Sequence, residues 1–270
     1  METQLARPPR ATGPMELRDF GPTGRRLGTE DDCYDGSPWE LHRGELWEQM
    51  GSKDIHGILM ALLAALFRTH ARPGVTVMAD VYCDLTDDTG ASLRAPDVAL
   101  VGDLVKPKNE VYRGTPILAV EVRGTQSKRY LEEKVKLYLE HDWPNTWIVH
   151  AERQEVEVLR PGTGSVVYRP GTSVPLVAEL DHHGLTTLPV NALFDPTEAR
   201  RCNDGWVAAQ AATQAATQAT AQAVLRVLAS RGFALPKRAR QKILQAPNPI
   251  ALIGPAATAP TVEAFLKSLT

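Results

Sequence analysis

The sequence predicts an α/β fold in which helices pack on a mixed β-sheet, followed by a helical C-terminal extension. Two patterns lead to this prediction: helical periodicity over residues 53–72, and short β-branched runs that surround a second helical pattern between residues 75 and 159. The order helix, three strands, helix and two strands is typical of layered α/β architectures. With 270 residues, of which 43% are hydrophobic and 23% charged, the chain can build one packed core and an appendage.

Each element has its own signal along the chain. A short hairpin is predicted at residues 39–48, because two alternating runs flank the turn-forming pair Arg43-Gly44. The first helix, residues 53–72, ends at Pro73-Gly74. The remaining elements before residue 160 are strands at 75–83, 93–101 and 115–123, a helix at 127–141, and strands at 146–150 and 155–159.

The two ends of the chain differ in composition from the middle. Residues 1–30 are rich in Pro, Gly and Arg, which indicates a flexible leader. A linker is expected near residues 189–196, and Trp206 to Ala229 contains an Ala/Thr/Gln repeat typical of a helix. We therefore expect a leader (1–30), a central domain (31–196), and an Ala/Gln-rich helix with a small helical module (197–270). The repeat favours a solvated spacer and an oligomerisation helix equally.

Composition and motifs exclude several classes of protein. Three distant cysteines without a CxxC pair, Cys33, Cys83 and Cys202, argue against a disulfide framework or a thiolate zinc site. The absence of a signal-like leader and of any apolar run of membrane length predicts a soluble cytoplasmic protein without membrane contact. Phosphate-binding GxxxxGK[ST] and nucleophile GxSxG motifs are also absent. Residues 205–270 carry seven Lys/Arg and one acid, so a basic surface is confined to the tail.

Two carboxylates stand out because each interrupts an apolar strand. Asp97 lies in the run RAPDVALV, and Glu121 lies in PILAVEVR. An ionised carboxylate in a buried strand is costly unless it is paired, hydrogen-bonded or bound to a metal. If the two strands pair in antiparallel fashion, Asp97 and Glu121 lie at the same end of the sheet.

A lysine on the second helix is the third unusual residue. Lys134 falls in the middle of the apolar face formed by Tyr130, Leu131, Leu137 and Tyr138. A lone lysine on such a face often extends to solvent, but two nearby carboxylates would hold it in place. Carboxylates of this kind bind Mg²⁺ or Mn²⁺, and the ammonium group can orient an attacking water. The residues therefore favour phosphodiester hydrolysis and a buried salt-bridge network without catalysis about equally.

The same residues carry a resemblance to a known family. Pro96-Asp97, Glu121-Val122-Arg123, Glu133-Lys134 with Tyr138, and Trp147-Ile148-Val149 resemble the Uma2 family of the PD-(D/E)XK nuclease superfamily. The resemblance covers about residues 36–196 and includes the opening WELHRGEL. It implies a restriction-endonuclease-like fold, with Asp97 and Glu121 as metal ligands and Lys134 as the catalytic lysine.

Further residues are assigned on the same resemblance and on their positions. Glu45 matches a family position that completes the metal site, although a turn carboxylate is more often solvated. His56 is a candidate for proton transfer or water positioning, although a core-edge histidine is the more common case. Arg123, Lys128 and Arg129 are candidate contacts to nucleic-acid phosphates, or part of a solvated face.

The sequence departs from the family at three positions. Arg123, Tyr130 and His150 replace residues that the family commonly carries, which puts the surroundings of the site in question and leaves Asp97, Glu121 and Lys134 in place. The leading hypothesis is a Mg²⁺-dependent DNA endonuclease, with Mn²⁺ as a second possible metal, that acts as a homodimer. The alternatives are a non-catalytic DNA-binding or assembly protein that uses the basic tail, and a structural role for the Ala/Gln/Thr helix.

Overall fold

The computed structural model describes residues 19–34, 36–49, 54–102, 111–124, 127–180 and 186–269. The chain divides into two compact units, one that ends at Ala199 and one that spans Arg200–Thr270. The first unit is mixed α/β and contains two sheets of more than two strands. The second unit is helical. None of the described helices is both long and apolar enough to cross a membrane.

A six-stranded mixed sheet forms the centre of the first unit. Its strands are β3 (Val75–Ala79), β6 (Val98–Gly102), β7 (Leu118–Arg123), β8 (Thr146–His150), β9 (Glu155–Arg160) and β10 (Gly164–Tyr168). They lie in the order β10-β9-β8-β7-β6-β3. Only the pair β7–β8 is parallel within this sheet, and a helix connects these two strands as a parallel connection requires.

Two helices pack on opposite faces of this sheet. Helix α1 (Asp54–His70) places Phe67 edge-on against Trp147 of β8, with the ring centroids 5.7 Å apart. Helix α2 (Lys128–Glu140) packs against Ile148, the next residue along β8, through Leu131 and Val135. Because successive residues of a strand point to opposite faces, the two contacts place α1 and α2 on different sides of the sheet.

A smaller sheet lies beside the first. Its strands are β1 (Trp39–His42), β2 (Glu45–Glu48), β4 (Cys83–Asp84) and β5 (Leu93–Arg94), in the order β2-β1-β5-β4. The β1–β2 turn has Arg43 at φ 50° and Gly44 at φ 79°, the left-handed pair that matches the twist of a two-residue hairpin. Leu41 pairs with Leu93, which brings β5 next to the hairpin.

Several segments differ from the sequence-based expectations. The strand expected at 93–101 is divided, so that β5 joins the small sheet and β6 joins the large one. Residues 189–196 are packed rather than a linker, because Val190, Ala192 and Leu193 are buried. Strand β10 was not predicted, because its side chains are largely exposed and the apolar alternation is weak.

The described part of the expected leader contacts the domain. Phe20 pairs with Arg26, and Leu27 pairs with Glu45 of β2 through isolated bridges. Residues 1–18 of the leader lie outside the described residues, as do residues 103–110 of the loop between β6 and β7. The remaining strands of the unit are β11 (Ser173–Pro175) and β12 (Thr187–Pro189), which pair with each other.

The second unit is built on one long helix. Helix α3 (Pro196–Ser230) is followed by α4 (Lys237–Leu244), α5 (Ile253–Thr258) and α6 (Val262–Leu266). Leu228, Ile243 and Phe265 are fully buried and belong to one apolar cluster of this unit. The Ala/Thr/Gln repeat reaches this cluster at Ala221, and its other side chains are mostly exposed because Ala, Thr and Gln supply little apolar surface.

Candidate functional site

The two strand carboxylates lie at one end of the large sheet. Strands β6 and β7 are antiparallel and Val98 pairs with Val120, so Asp97 precedes β6 at the position opposite Glu121. Asp97 is 8% exposed and Glu121 is not exposed. The predicted strand pairing is confirmed, and it brings both carboxylates to the same end of the sheet.

Glu121 is held by two side chains of α2. Lys134 Nζ donates to Glu121 Oε2 at 2.9 Å, and the Tyr138 hydroxyl donates to Oε1 at 2.8 Å. Lys134 and Tyr138 lie four residues apart, one above the other on the same helical face. Burial raises the pKa of Glu121 to about 8, although Lys134 acts in the opposite direction. Glu121 therefore depends on a neighbouring positive charge to favour its ionised form.

Asp97 is held from the opposite helix and from the neighbouring strand. His56 Nε2 lies 3.1 Å from Asp97 Oδ2, and the backbone N–H of Val122 donates to the same oxygen at 2.5 Å. Among the described residues, none donates a hydrogen bond to Asp97 Oδ1. This oxygen is therefore the carboxylate atom most available to a ligand.

Lys134 lies between two carboxylates. Besides Glu121, its ammonium group donates to the carbonyl oxygen of Ala95 at 2.7 Å and lies 3.1 Å from Glu40 Oε1. Burial alone would lower the pKa of Lys134, but Glu121 and Glu40 outweigh it and raise that pKa well above its usual value. Lys134 is therefore an ammonium ion, fixed by three oxygens.

Glu40 is the residue that the sequence reasoning missed. It is 1% exposed, and it accepts hydrogen bonds from Arg94 at 2.9 Å, from the backbone of Ala95 at 2.8 Å and from the Tyr130 hydroxyl. Burial would raise its pKa, but Lys134 and Arg94 outweigh this effect, so the pKa of Glu40 is lowered. The signal was available, because Glu40 is also a lone carboxylate between apolar residues of a strand.

Glu45 lies in a different environment from the other carboxylates. Its two oxygens accept hydrogen bonds from the Thr23 backbone N–H at 2.8 Å and from the Thr23 hydroxyl at 2.5 Å. None of its described hydrogen bonds involves Asp97 or Glu121. Within the described ranges, no group of three or more His, Cys, Asp or Glu side chains is arranged to hold a metal ion.

The chemistry of the donors nevertheless fits a hard divalent cation. Asp97 and Glu121 supply carboxylate oxygens at one end of the sheet, and Asp97 Oδ1 is unused by the described residues. Mg²⁺ is commonly held by one or two carboxylates and completes its shell with waters and phosphate oxygens. Two protein ligands are therefore sufficient for a site of this type.

The three predicted phosphate contacts fall in two places. Arg123 and Lys128 line a cavity of about 590 Å³ that also includes His150 and Arg153. Arg129 is exposed and is not part of that lining. A groove of about 630 Å³ shares these four residues and continues over Leu131, Val135 and Ile148.

Comparison with known proteins agrees with this architecture. No curated protein matches the sequence. A crystal structure described as a "putative nuclease belonging to DUF820" from Anabaena variabilis is similar in fold, with a TM-score of 0.50 and 16% sequence identity over 60% of this chain and 90% of that one. The family model that matches residues 31–191 is Uma2, described as "Putative restriction endonuclease", and it supports nuclease activity in general. A match of this extent, together with the mixed sheet between two helices, shows that the chain belongs to the Uma2 family.

Proposed function

We propose that the protein is a Mg²⁺-dependent endonuclease that hydrolyses phosphodiester bonds in DNA. The observation that supports this proposal best is the convergence of Asp97, Glu121 and Lys134 at one end of the sheet, with Lys134 Nζ 2.9 Å from Glu121. Each of these side chains is buried in the unit that matches the nuclease family. Two carboxylates and an ammonium group in this arrangement suit a reaction in which negative charge develops on a phosphate.

Each residue has a distinct part in this proposal. Asp97 and Glu121 would hold the divalent cation, Mg²⁺ or Mn²⁺, which would lower the pKa of a water and offset phosphate charge when bound. Lys134 orients the attacking water and adds positive charge, because Glu40 and Glu121 keep it protonated and in place. His56 positions the Asp97 carboxylate through its Nε2 contact.

Glu45 keeps a weaker place in this proposal. The family resemblance assigns Glu45 to the metal site, whereas its hydrogen bonds with Thr23 favour a structural role. An additional metal ligand at Glu45 would require the carboxylate to leave Thr23.

DNA is the expected substrate, and we propose that a homodimer cuts it, because two sites related by a twofold axis suit the cutting of two strands. Arg123, Lys128 and Arg129 are proposed to contact its phosphates.

A cytoplasmic location is proposed from the widely spaced cysteines. Cys33 and Cys83 are buried, and burial raises the pKa of each thiol to about 12, which makes them poor partners for thiol exchange.

The direct test compares the wild type with Asp97→Ala on supercoiled plasmid and on labelled oligonucleotides. Each protein is assayed with EDTA, Mg²⁺ or Mn²⁺. We expect the wild type to cut DNA only when a metal is present. We expect Asp97→Ala to lose about a hundredfold or more in cleavage rate, because it removes one of the two proposed metal ligands. Equal cleavage by the two proteins would refute the assignment of Asp97.

One observation supports a second candidate, a nuclease-fold protein that binds DNA without cutting it. Both oxygens of Glu121 accept hydrogen bonds from Lys134 and Tyr138, so a cation must compete with these donors. The expected outcome for this candidate is DNA binding that depends steeply on salt, without cleavage in either metal.

A further inference from the structure

The cavity at the C-terminal ends of the two parallel strands is lined by three positive side chains and a histidine. Arg123 and His150 are register partners at the last positions of β7 and β8, and Lys128 begins α2 beside them. Arg153 lies three residues after His150, and these four side chains line the cavity of about 590 Å³. We call it the cationic cavity. Its acidic lining residue is the exposed Glu152.

The charges in the cationic cavity are partly compensated. Lys128 lies 3.4 Å from Glu132, and Arg153 lies 3.7 Å from Glu155, in pairs whose cations are largely exposed to solvent. The exposed Lys128–Glu132 pair contributes little and is readily exchanged for another anion, whereas Glu155 is largely buried and is also held by Arg169 at 2.9 Å. Arg123 is half-buried and forms no ion pair with any described carboxylate.

His150 orients one of these cations. Its side chain is 8% exposed, and its Nδ1 lies 3.2 Å from Arg153 Nη2, so the neutral ring accepts a hydrogen bond from the guanidinium. Burial and the neighbouring Arg153 lower the pKa of His150, although Glu157 at 3.6 Å from Nε2 acts in the opposite direction, and the net lowering favours the neutral ring. A buried acceptor therefore holds Arg153 at the wall of the cavity, where a freely moving surface arginine would not remain.

The cationic cavity lies next to the candidate catalytic site. Arg123 follows Glu121 by two residues on β7, so both side chains point to the same face and their backbone positions are about 7 Å apart. This separation is on the scale of one nucleotide step along a strand. A nucleic-acid backbone with one phosphate at Asp97 and Glu121 can therefore place an adjacent phosphate near Arg123.

We propose that the cationic cavity binds a backbone phosphate of the nucleic-acid substrate, adjacent to the phosphate that is cut. Arg123, Lys128 and Arg153 supply the charge, and His150 positions Arg153. This inference rests on the proposed function for the identity of the substrate. It adds Arg153 and His150, which carried no role in the sequence analysis, as residues that fix the substrate strand.

The test measures DNA binding separately from cleavage. The affinity of a fluorescent DNA duplex is determined without divalent metal at a series of KCl concentrations, for the wild type, Lys128→Ala and Arg153→Ala. Loss of one phosphate contact is expected to weaken binding about tenfold at low salt and to reduce the salt slope by about one. Arg153→Lys keeps the charge and is expected to restore part of the affinity.

Lys136→Ala is the matched control for Lys128→Ala. Both lysines are exposed on α2 and lie near a glutamate four residues later, at 3.4 Å for Lys128 and 3.7 Å for Lys136. Lys136 does not line the cationic cavity. We expect Lys136→Ala to bind DNA as the wild type does, and equal behaviour of Lys128→Ala, Arg153→Ala and Lys136→Ala would overturn the proposal.

Two further measurements distinguish a site for a DNA phosphate from a site for a free anion, and DNA binding from DNA cleavage. Inorganic phosphate is titrated against the DNA complex, and we expect competition only at high concentration. Tight binding of inorganic phosphate, combined with unchanged DNA affinity of the variants, would assign the cavity to a free anion and overturn the proposal. Cleavage is assayed separately in Mg²⁺. If the wild type does not cut DNA but the variants bind it more weakly, the result supports the cationic cavity and refutes the proposed nuclease activity.

Discussion

Lys134 shows how the site can keep a buried charge. A single ammonium group in a protein interior costs several kcal/mol, and its removal from water is offset only by well-placed partners. Here Glu40 and Glu121 lie 3.1 and 2.9 Å from Lys134 Nζ, and Arg94 compensates the second negative charge. The four groups form one connected buried network, so removal of one member takes a partner away from the charges that remain.

Replacement of Glu40 by alanine tests this network. Glu40→Ala leaves Arg94 and Lys134 with one carboxylate fewer, and we expect the free energy of unfolding to fall by about 3–5 kcal/mol. Urea denaturation followed by circular dichroism measures the change. Glu48→Ala, an exposed glutamate of the same hairpin, is the control and should change stability by less than about 0.5 kcal/mol. Similar stability of the two variants would contradict a network held by Glu40.

His42 gives the molecule a pH-dependent component of stability. Burial, with Arg94 and Arg43 nearby, lowers the pKa of His42 to about 4, from a usual value of about 6.5. The unfolded chain therefore binds a proton between these values while the folded protein does not, and stability falls as the pH decreases from about 6.5 to about 4. His42→Phe keeps an aromatic ring against Trp47, where the histidine packs edge-on.

The expected result for His42→Phe is a smaller loss of stability in acid. Relative to the wild type, the variant should lose about 2 kcal/mol less between pH 7 and pH 4.5. Urea denaturation at both pH values measures this difference, and other titrating groups cancel in the comparison. Identical pH dependence of the two proteins would show that folding does not lower the pKa of His42.

At the scale of elements, the strongest sequence patterns gave the most accurate predictions. The helix expected at 127–141 is α2, Lys128–Glu140, and the strand at 146–150 has the same bounds in the structure. Asp97, Glu121 and Lys134 could be predicted together, because each is a charge within a strongly periodic apolar segment. Such a conflict between an apolar pattern and a charged residue can be recognised from the sequence alone.

Other parts of the site depend on contacts that no local pattern contains. Glu40 lies more than fifty residues from Arg94, and only the pairing of β1 with β5 brings them together. The cationic cavity likewise requires the parallel pairing of β7 with β8, which places Arg123 beside His150. Tyr130, which departs from the family pattern, donates a hydrogen bond to Glu40, a residue that lies ninety positions earlier in the chain. The residues that were missed are therefore those whose role depends on the pairing of strands that are distant in the sequence.

The start of α2 offers a test at the scale of one element. The Ser127 hydroxyl accepts a hydrogen bond from the Tyr130 backbone N–H at 3.1 Å and thereby caps the helix that carries Lys134. Ser127→Ala removes this cap and is expected to reduce stability by about 1 kcal/mol. Chemical denaturation measures the loss, with Ser165→Ala on the exposed strand β10 as the control. A Ser127→Thr variant keeps an acceptor and should recover most of the stability.

At the scale of the whole molecule, the chain combines a nuclease-family unit with a helical unit of opposite charge character. Residues 205–270 carry seven basic residues and one acid in a chain whose net charge is −2. Four of these cations lie on α4, where Lys237, Arg238, Arg240 and Lys242 are all exposed. Buried Ala239 and Ile243 fix the opposite face of the helix in the core of this unit. A helix that exposes charges of one sign favours contact with a polyanion.

Substitutions on α4 therefore separate DNA affinity from catalysis. The combined variant Lys237→Ala, Arg238→Ala and Arg240→Ala should bind DNA more weakly, and its salt slope should fall by as much as about three if each cation contacts a phosphate. Its cleavage rate at saturating DNA should remain that of the wild type, because Asp97, Glu121 and Lys134 lie in the first unit. Gln241→Ala is the uncharged control on the same helix. A variant with unchanged affinity and slope would show that α4 does not contact DNA, and the basic composition of the tail would then have another origin.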